Sequence, residues 1–276
     1  MNKNKRTLLS LAYSPCPNDT FIFHALAENL VQSEKFQFKI ILADVETLNQ
    51  DASDMKYDIT KLSFAAYGSL RDKYTLLRAG AALGRGCGPL VISRPGTQLD
   101  KTTRPVIAIP GYGTTAYLLF QFFLKQSCPD LKPEIIPMPF DRIMPSVISK
   151  KADFGIIIHE GRFVYDQLGL DCLVDLGLWW EEQTALPIPL GCIAVKKSIS
   201  RETASELETL IRQSIAFAKN NPHAGEGYIK RHAQELSDGV IREHIDLYVN
   251  DFSMDIGTQG EKAITAFLKK ADQLKI

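Results

Sequence analysis

A histidine stands where a buried strand should end, in Ile156-Ile157-Ile158-His159-Glu160-Gly161-Arg162. Imidazole is the side chain whose unperturbed pKa lies near neutrality, so it can take up and release a proton there. The apolar run before His159 predicts a buried strand. The charged cluster after it predicts a strand end that faces a cleft. That setting favours a general base over a satisfied structural histidine, with Glu160 or Arg162 to orient the ring or neutralise charge. His24, His223, His232 and His244 lack such surroundings and read as structural or surface residues. The last three fall on predicted C-terminal helices without metal-ligand spacing.

Three further segments could meet a ligand. Ser14-Pro15-Cys16-Pro17-Asn18-Asp19-Thr20 joins a strand to a helix, where free backbone N–H groups and a positive dipole end converge. Asn18, Asp19 and Thr20 are capping types, and two prolines stiffen the turn, so a cleft role stands slightly ahead of pure capping. Lys61-Leu62-Ser63 ends another strand, and alternation puts Lys61 and Ser63 on one face and Leu62 on the other. Pro110-Gly111-Tyr112-Gly113-Thr114-Thr115-Ala116 follows a strand and opens an apolar helix. Its glycines allow close approach, and Thr114 and Thr115 can offer hydroxyls beside helix N–H groups, a setting for a carboxylate. A dinucleotide fingerprint is a poor fit, because Ala116 stands at the third glycine position and no acid follows at the required distance. The absence of Gly-Lys-Ser/Thr excludes a P-loop. No Gly-x-Ser-x-Gly, His-Glu-x-x-His or EF-hand pattern occurs, so the expectation is no metal and no nucleotide cofactor.

These residues need strands and helices to place them. Leu8–Tyr13, Phe38–Leu42, Leu90–Ser93, Val106–Ile109, Ile135–Met138, Phe154–Ile158 and Gly191–Val195 read as strands. Thr20–Val31, Thr115–Lys125 and Arg142–Lys150 read as helices between them, which predicts mostly parallel sheets covered by helices. Beyond Ser200 the pattern turns helical. Ser200 can cap a helix with Leu207, Ile211, Ile215 and Ala218 on one face. Asn221-Pro222 ends it. Asp238 can cap the next, and Thr258 with Glu261 has capping-box spacing for a third. Trp179-Trp180-Glu181-Glu182 reads as a helix start. Ser93-Arg94-Pro95-Gly96 and residues 186–191 look like crossings between lobes. The expected lobes are 1–93 with 191–276, and 94–190, with a ligand cleft between them.

Bulk properties agree with an ordinary globular chain. Of 276 residues, 45% are hydrophobic and 23% charged, and Lys+Arg equals Asp+Glu at 32 each. A zero formal charge points away from nucleic acid or an anionic membrane as main partner. Five cysteines, Cys16, Cys87, Cys128, Cys172 and Cys192, form no CxxC pair, so reduced thiols in the cytoplasm are expected. The basic start and the apolar run Leu8–Tyr13 imitate an export signal, but the run is short and Pro15, Pro17, Asn18 and Asp19 interrupt it. No stretch reaches the roughly 18 apolar residues of a membrane helix.

Taken together the segments resemble the 1,4-dihydroxy-6-naphthoate synthase family. The resemblance is carried by residues 14–23, Lys61-Leu62-Ser63, residues 110–116, Phe140-Asp141-Arg142-Ile143-Met144-Pro145, His159-Glu160-Gly161-Arg162-Phe163, residues 175–182, 186–191 and 232–238. It implies a two-lobed α/β fold of the type II periplasmic-binding-protein kind, with mixed sheets and a helical C-terminal part, kept in the cytoplasm. It implies a lyase of the futalosine route to menaquinone, turning cyclic dehypoxanthinyl futalosine into 1,4-dihydroxy-6-naphthoate. The family's base falls on His159, and its substrate-contacting windows fall on Lys61, Leu62 and Ser63 and on Thr114 and Thr115. A small molecule carrying a carboxylate is thus the expected partner. Two other readings stay open: a chorismate dehydratase of the same route, and a non-catalytic binding protein for a small carboxylate.

Overall fold

The computed structural model describes residues 6–99, 102–233 and 237–274. In chain order the elements are β1 (Thr7–Tyr13), α1 (Pro17–Ala27), β2 (Phe36–Leu42), α2 (Val45–Ser53), β3 (Ile59–Ser63), α3 (Phe64–Ser69), β4 (Tyr74–Leu76), β5 (Ala82–Gly84) and β6 (Leu90–Ser93). There follow β7 (Val106–Ile109), α4 (Thr115–Ser127), β8 (Glu134–Pro137), α5 (Phe140–Ile148), β9 (Phe154–Ile157), β10 (Asp171–Asp175), α6 (Leu176–Thr184) and β11 (Ile188–Lys196). The chain ends in α7 (Arg201–Asn220), α8 (Glu226–His232), α9 (Asp238–Tyr248), α10 (Asp251–Met254) and α11 (Gly257–Leu274). Two compact units result: Met1–Leu83 with Gly191–Thr258, and Gly84–Leu190 with Gln259–Ile276.

The first unit is built on a sheet of order β2-β1-β3-β11-β4, with β5 pairing β11 off that path. β1 runs parallel to β2 and β3, whereas β11 runs antiparallel to β3 and β4. Helix α1 is buried along its length from Pro17 to Leu26. A helix buried on every face needs partners all round it, and α1 packs against α7, α8 and α9. Pro17 opens it, because a first-turn N–H has no intrahelical acceptor to lose. The amphipathic α7 lays Ala204, Leu207, Ile211, Ile215 and Ala218 on the same core as Leu11, Ile22 and Phe23. Ser200 caps α7 by accepting from the Thr203 N–H, as its sequence suggests.

The second unit holds a sheet of order β10-β6-β9-β7-β8. β7 is parallel to β8 and β9, and β6 is antiparallel to β9 and β10. Leu90, Ile92, Ala108, Ile143, Val147 and Ile157 form its core. Gly155 is required there, since a Cβ would sit 2.5 Å from Ile143 Cγ2 of α5. A second cluster joins Phe122 of α4, Trp180 of α6 and Phe267 of α11, with Phe267 5.6 Å from each of the other two rings.

Several expectations change. Both sheets are mixed, as the family resemblance implies and against the mostly parallel sheets that alternation alone predicts, because β11 and β6 return antiparallel. Strand β10 is an addition to the expected set: it is an edge strand with no fully buried residue, so Asp171-Cys172-Leu173-Val174-Asp175 lacks a buried face to mark it. Ser237, not Asp238, caps α9, and Thr258 lies inside α11. The tryptophan pair sits mid-helix in α6, with the Trp180 indole donating to Pro187 O at 3.1 Å. Two segments that the sequence reading assigned to the first lobe belong to the second unit. Ladder pairing draws in β6, and the aromatic cluster draws in α11. Among the described residues no helix is long and apolar enough to cross a membrane.

Candidate active site

In the second unit, β9 is the central strand and delivers His159 to its carboxyl end. The chain turns there into a 3₁₀ turn, His159–Phe163. His159 has φ +56°, a left-handed conformation that disfavours any residue with a Cβ by about 1–2 kcal/mol. The ring is half-buried and meets Phe140, the first residue of α5, edge-on at 5.0 Å. Next to it, Glu160 Oε2 is buried with no hydrogen-bond partner among the described residues. Arg162 turns into the unit. Its Nη2 lies 2.5 Å from Asp175 Oδ2, and its Nη1 donates to Gly88 O at 2.8 Å. Asp175 is also the N-cap of α6, its Oδ1 accepting from the N–H groups of Gly177 and Leu178 at 2.9 and 3.0 Å.

The loop before α4 bends at Gly111, whose φ of +148° favours glycine. Thr114 caps α4: its Oγ1 accepts from Tyr117 N–H and donates to Gly111 O at 2.8 Å. Thr115 Oγ1 donates to Leu190 O, also at 2.8 Å. Both hydroxyl hydrogens are therefore committed inside the unit, contrary to the expectation that they point at a ligand. What this segment offers an anion is the first turn of α4, where N–H groups lack intrahelical acceptors.

In the first unit the N-terminal turn is a sealed network. Lys61 Nζ lies 2.5 Å from Asp19 Oδ1, with side chains only 6% and 1% exposed. Asp19 Oδ2 accepts from Ser14 Oγ at 2.7 Å, and Oδ1 also accepts from Asn18 Nδ2 at 2.9 Å. With its amide nitrogen so used, Asn18 Oδ1 accepts from His244 Nε2 at 3.0 Å, which fixes that ring with its proton on Nε2. Thr20 Oγ1 returns to Cys16 O and Pro17 O. Asn18, Asp19 and Thr20 thus lie inside the first turn of α1 and do not cap it. Leu62 is in the core at 0% exposure. Ser63 is buried beside Asn49: its N–H donates to Asn49 Oδ1 at 2.9 Å, and its Oγ accepts from Asn49 Nδ2 at 3.1 Å. Gly191, opposite Ser63 in the ladder, leaves room for the lysine stem, for a Cβ there would meet Lys61 Cε at 2.9 Å. Burial pushes the neighbouring Cys192 thiol up to about 12, although Lys61 pulls the other way.

The structure brings Asn18, Asp19 and Lys61 into one network, and His159 and Arg162 into one turn. Sequence reasoning missed Ser14, Asn49 and His244 in the first unit, and Phe140 and Asp175 in the second. Phe140 and Asp175 lay within the recognised motifs but had no role assigned. His244 carried no local signal, since its partner Asn18 is distant in the chain. The buried histidine His24, expected to be structural, donates from Nδ1 to Phe21 O at 3.0 Å and packs on Gly225.

A family model described as menaquinone biosynthesis matches residues 9–273. A 1,4-dihydroxy-6-naphtoate synthase of Thermus thermophilus is 44% identical over 264 residues, 96% of this chain and 94% of that protein. A protein of the same description from Streptomyces coelicolor is 42% identical, over 95% and 92%. The crystal structure of an Archaeoglobus fulgidus protein matches with a TM-score of 0.89 at 34% identity, covering 97% of each chain. The periplasmic aliphatic sulphonate binding protein of Escherichia coli matches with a TM-score of 0.66 at 12% identity, covering 98% of this chain and 87% of that one. That last likeness establishes the fold type, an α/β fold of the periplasmic-binding-protein class.

Proposed function

Since the chain belongs to the menaquinone-biosynthesis family, we propose that it is a 1,4-dihydroxy-6-naphthoate synthase, a carbon–carbon lyase acting on cyclic dehypoxanthinyl futalosine. His159 is the general base. The observation that carries this role is its place: a half-buried imidazole at the carboxyl end of the central strand β9, held in a left-handed conformation. Backbone strain of that kind persists only where surrounding structure over-determines it, and it clusters at working sites.

Neutral imidazole takes a proton from a hydroxyl of the substrate. The O–H electrons become a carbonyl π bond, and the adjacent carbon–carbon bond breaks as in a retro-aldol reaction. Its electron pair passes into the ring system, which gains aromaticity on reprotonation. A positioned base contributes about 10²–10⁴-fold, so orientation and hydrogen bonding must supply more. In the second unit the first turn of α4 at Thr114 and Thr115 is the proposed seat of the carboxylate. It binds through backbone N–H groups, with the two hydroxyls fixing the loop. In the first unit, Ser63 is the proposed polar contact. Its Oγ accepts from Asn49 Nδ2 and, as a hydroxyl, can also donate. Lys61 and Leu62 flank Ser63 and fix its place on β3.

The reading is tested by incubating purified protein with cyclic dehypoxanthinyl futalosine and analysing products by mass spectrometry. Formation of 1,4-dihydroxy-6-naphthoate by the wild type and its loss in folded His159→Gln is the expected result. Substrate recovered unchanged from the wild type, or turnover of chorismate instead, would sink it.

A further inference from the structure

We propose that Arg162 and Asp175, with the paired glycines Gly88 and Gly177, form a clamp that holds His159 in its left-handed conformation. Arg162 and Asp175 are then positioning residues for the base. The inference rests on the reading of His159 as base, and goes beyond it by assigning what aims the ring.

The backbone bonds flanking the 3₁₀ turn, Gly161 N–H to Ile158 O at 3.2 Å, Val164 N–H to Gly161 O at 3.3 Å and Tyr165 N–H to Gly161 O at 3.1 Å, lie at the long end of the N–H···O range. A non-glycine residue at φ +56° would relax if nothing opposed it. Among the contacts that can oppose it are those of Arg162, three residues along the same turn. One arm of its guanidinium reaches the loop before β6 through Gly88 O, and the other reaches Asp175 at the start of α6. A planar fork that binds two acceptors in different elements fixes orientation as well as distance.

The acceptors are themselves fixed. Asp175 divides its oxygens, one on Arg162 and one on two N–H groups of α6. Gly88 and Gly177 touch backbone to backbone: a Cβ on Gly88 would fall 2.2 Å from Gly177 Cα, and one on Gly177 would fall 2.6 Å from Gly88 Cα. Leu176 N–H donates to Pro89 O at 2.9 Å beside that contact. Two glycines therefore let α6 and the loop approach closely enough for one guanidinium to hold both. With Arg162 and Asp175 only 19% and 20% exposed, the pair is shielded from most solvent competition. Arg162 is thereby engaged inward, which leaves His159 and Glu160 as the chemistry-bearing side chains of the turn.

The test uses Asp175→Asn and Arg162→Lys in the full chain. Asparagine keeps a cap acceptor for α6 but loses the charge. Lysine keeps the charge but cannot hold both acceptors as a fork. Steady-state kinetics are read with the His159 ring Cε1–H resonance, assigned by its disappearance in His159→Gln. The expected result is a fall in kcat approaching about 10²-fold, as for misplacement of a catalytic group by 1 Å. KM should stay within about threefold, with the His159 resonance broadened or doubled. Unchanged kcat and an unchanged resonance in the variant that folds, even with a lower Tm, would overturn the clamp and leave a structural ion pair. Failure of the base assignment looks different: His159→Gln would keep full turnover, while the resonance would still report whether the ring is held.

Discussion

Two junctions at strand ends invite comparison, the one after β1 and the one after β9. At the first, Asp19 and Lys61 are paired in near-complete burial, and Ser14, Asn18 and His244 satisfy what remains. At the second, the backbone is left-handed at His159, the ring is half-buried, and a carboxylate oxygen of Glu160 has no partner among the described residues. The first junction pairs its carboxylate with a lysine over a relaxed backbone; the second keeps strain and a carboxylate oxygen with no hydrogen-bond partner among the described residues. A sealed network fixes geometry, whereas chemistry needs groups whose bonds are still to be made.

The sharpest way to break this contrast is at the open junction. His159→Gly relieves the left-handed strain, so folding stability should hold or rise while turnover falls by about 10²–10⁴-fold. Thermal melts beside product assays would check both. A loss of stability would mean that the ring serves the fold first.

At the sealed junction the order reverses, and folding suffers first. Asp19→Ala strands a buried ammonium and should cost about 3–5 kcal/mol in urea titration. Replacing both partners, Asp19→Leu with Lys61→Met, should recover much of that loss, since an apolar pair carries no desolvation penalty. If Asp19→Ala costs less than the double variant, the network is not the closed unit described. Gly191→Ala is milder. Its Cβ would press on Lys61 Cε and approach Leu62 O at 3.2 Å, an overpacking cost of about 1–3 kcal/mol by the same titration.

Charge pairs nearer the surface sharpen the comparison from below. Arg78 holds the Asp255 carboxyl below the usual carboxylate range, against the upward push of partial burial, with help from Gly257 N–H and Arg212. Because its folded pKa is the lower one, its contribution is complete above the unfolded value of about 3.9 and is lost as pH falls through the folded value. Asp255→Asn should therefore flatten the acid limb of stability against pH. Removing the exposed pair Lys35 and Glu206, 67% and 39% exposed, should change stability by at most about 1 kcal/mol.

How much of this could be read beforehand follows from how local the signals are. Strand β9 and His159 were legible, because an apolar run ending in charge is a contiguous pattern. The cap of α7 at Ser200 was legible for the same reason. The partnership of Asp19 with Lys61 was not, since the two residues join only when β3 is laid beside β1. The same holds for Arg162 with Asp175, and for His244 with Asn18. The Thr114 and Thr115 hydroxyls looked outward in sequence because threonine at a helix start also fits a ligand. Only the nearby carbonyls of Gly111 and Leu190 reveal where their hydrogens go. Segment α11 was misassigned since its periodicity identifies a buried face without saying which core receives it.

That last helix bears on how the protein can be shortened. Phe267 on α11 reaches Phe122 and Trp180, and Lys270 sits over the Phe122 and Trp179 rings. The unit that carries His159 is therefore completed by α11, a helix far along the chain from it. A stop codon placed just after α10 would remove no proposed active-site residue, yet it would undress the aromatic core beneath them. Removing α11 is a lesion of the unit that carries His159, and a nascent chain cannot finish that unit until α11 has been made.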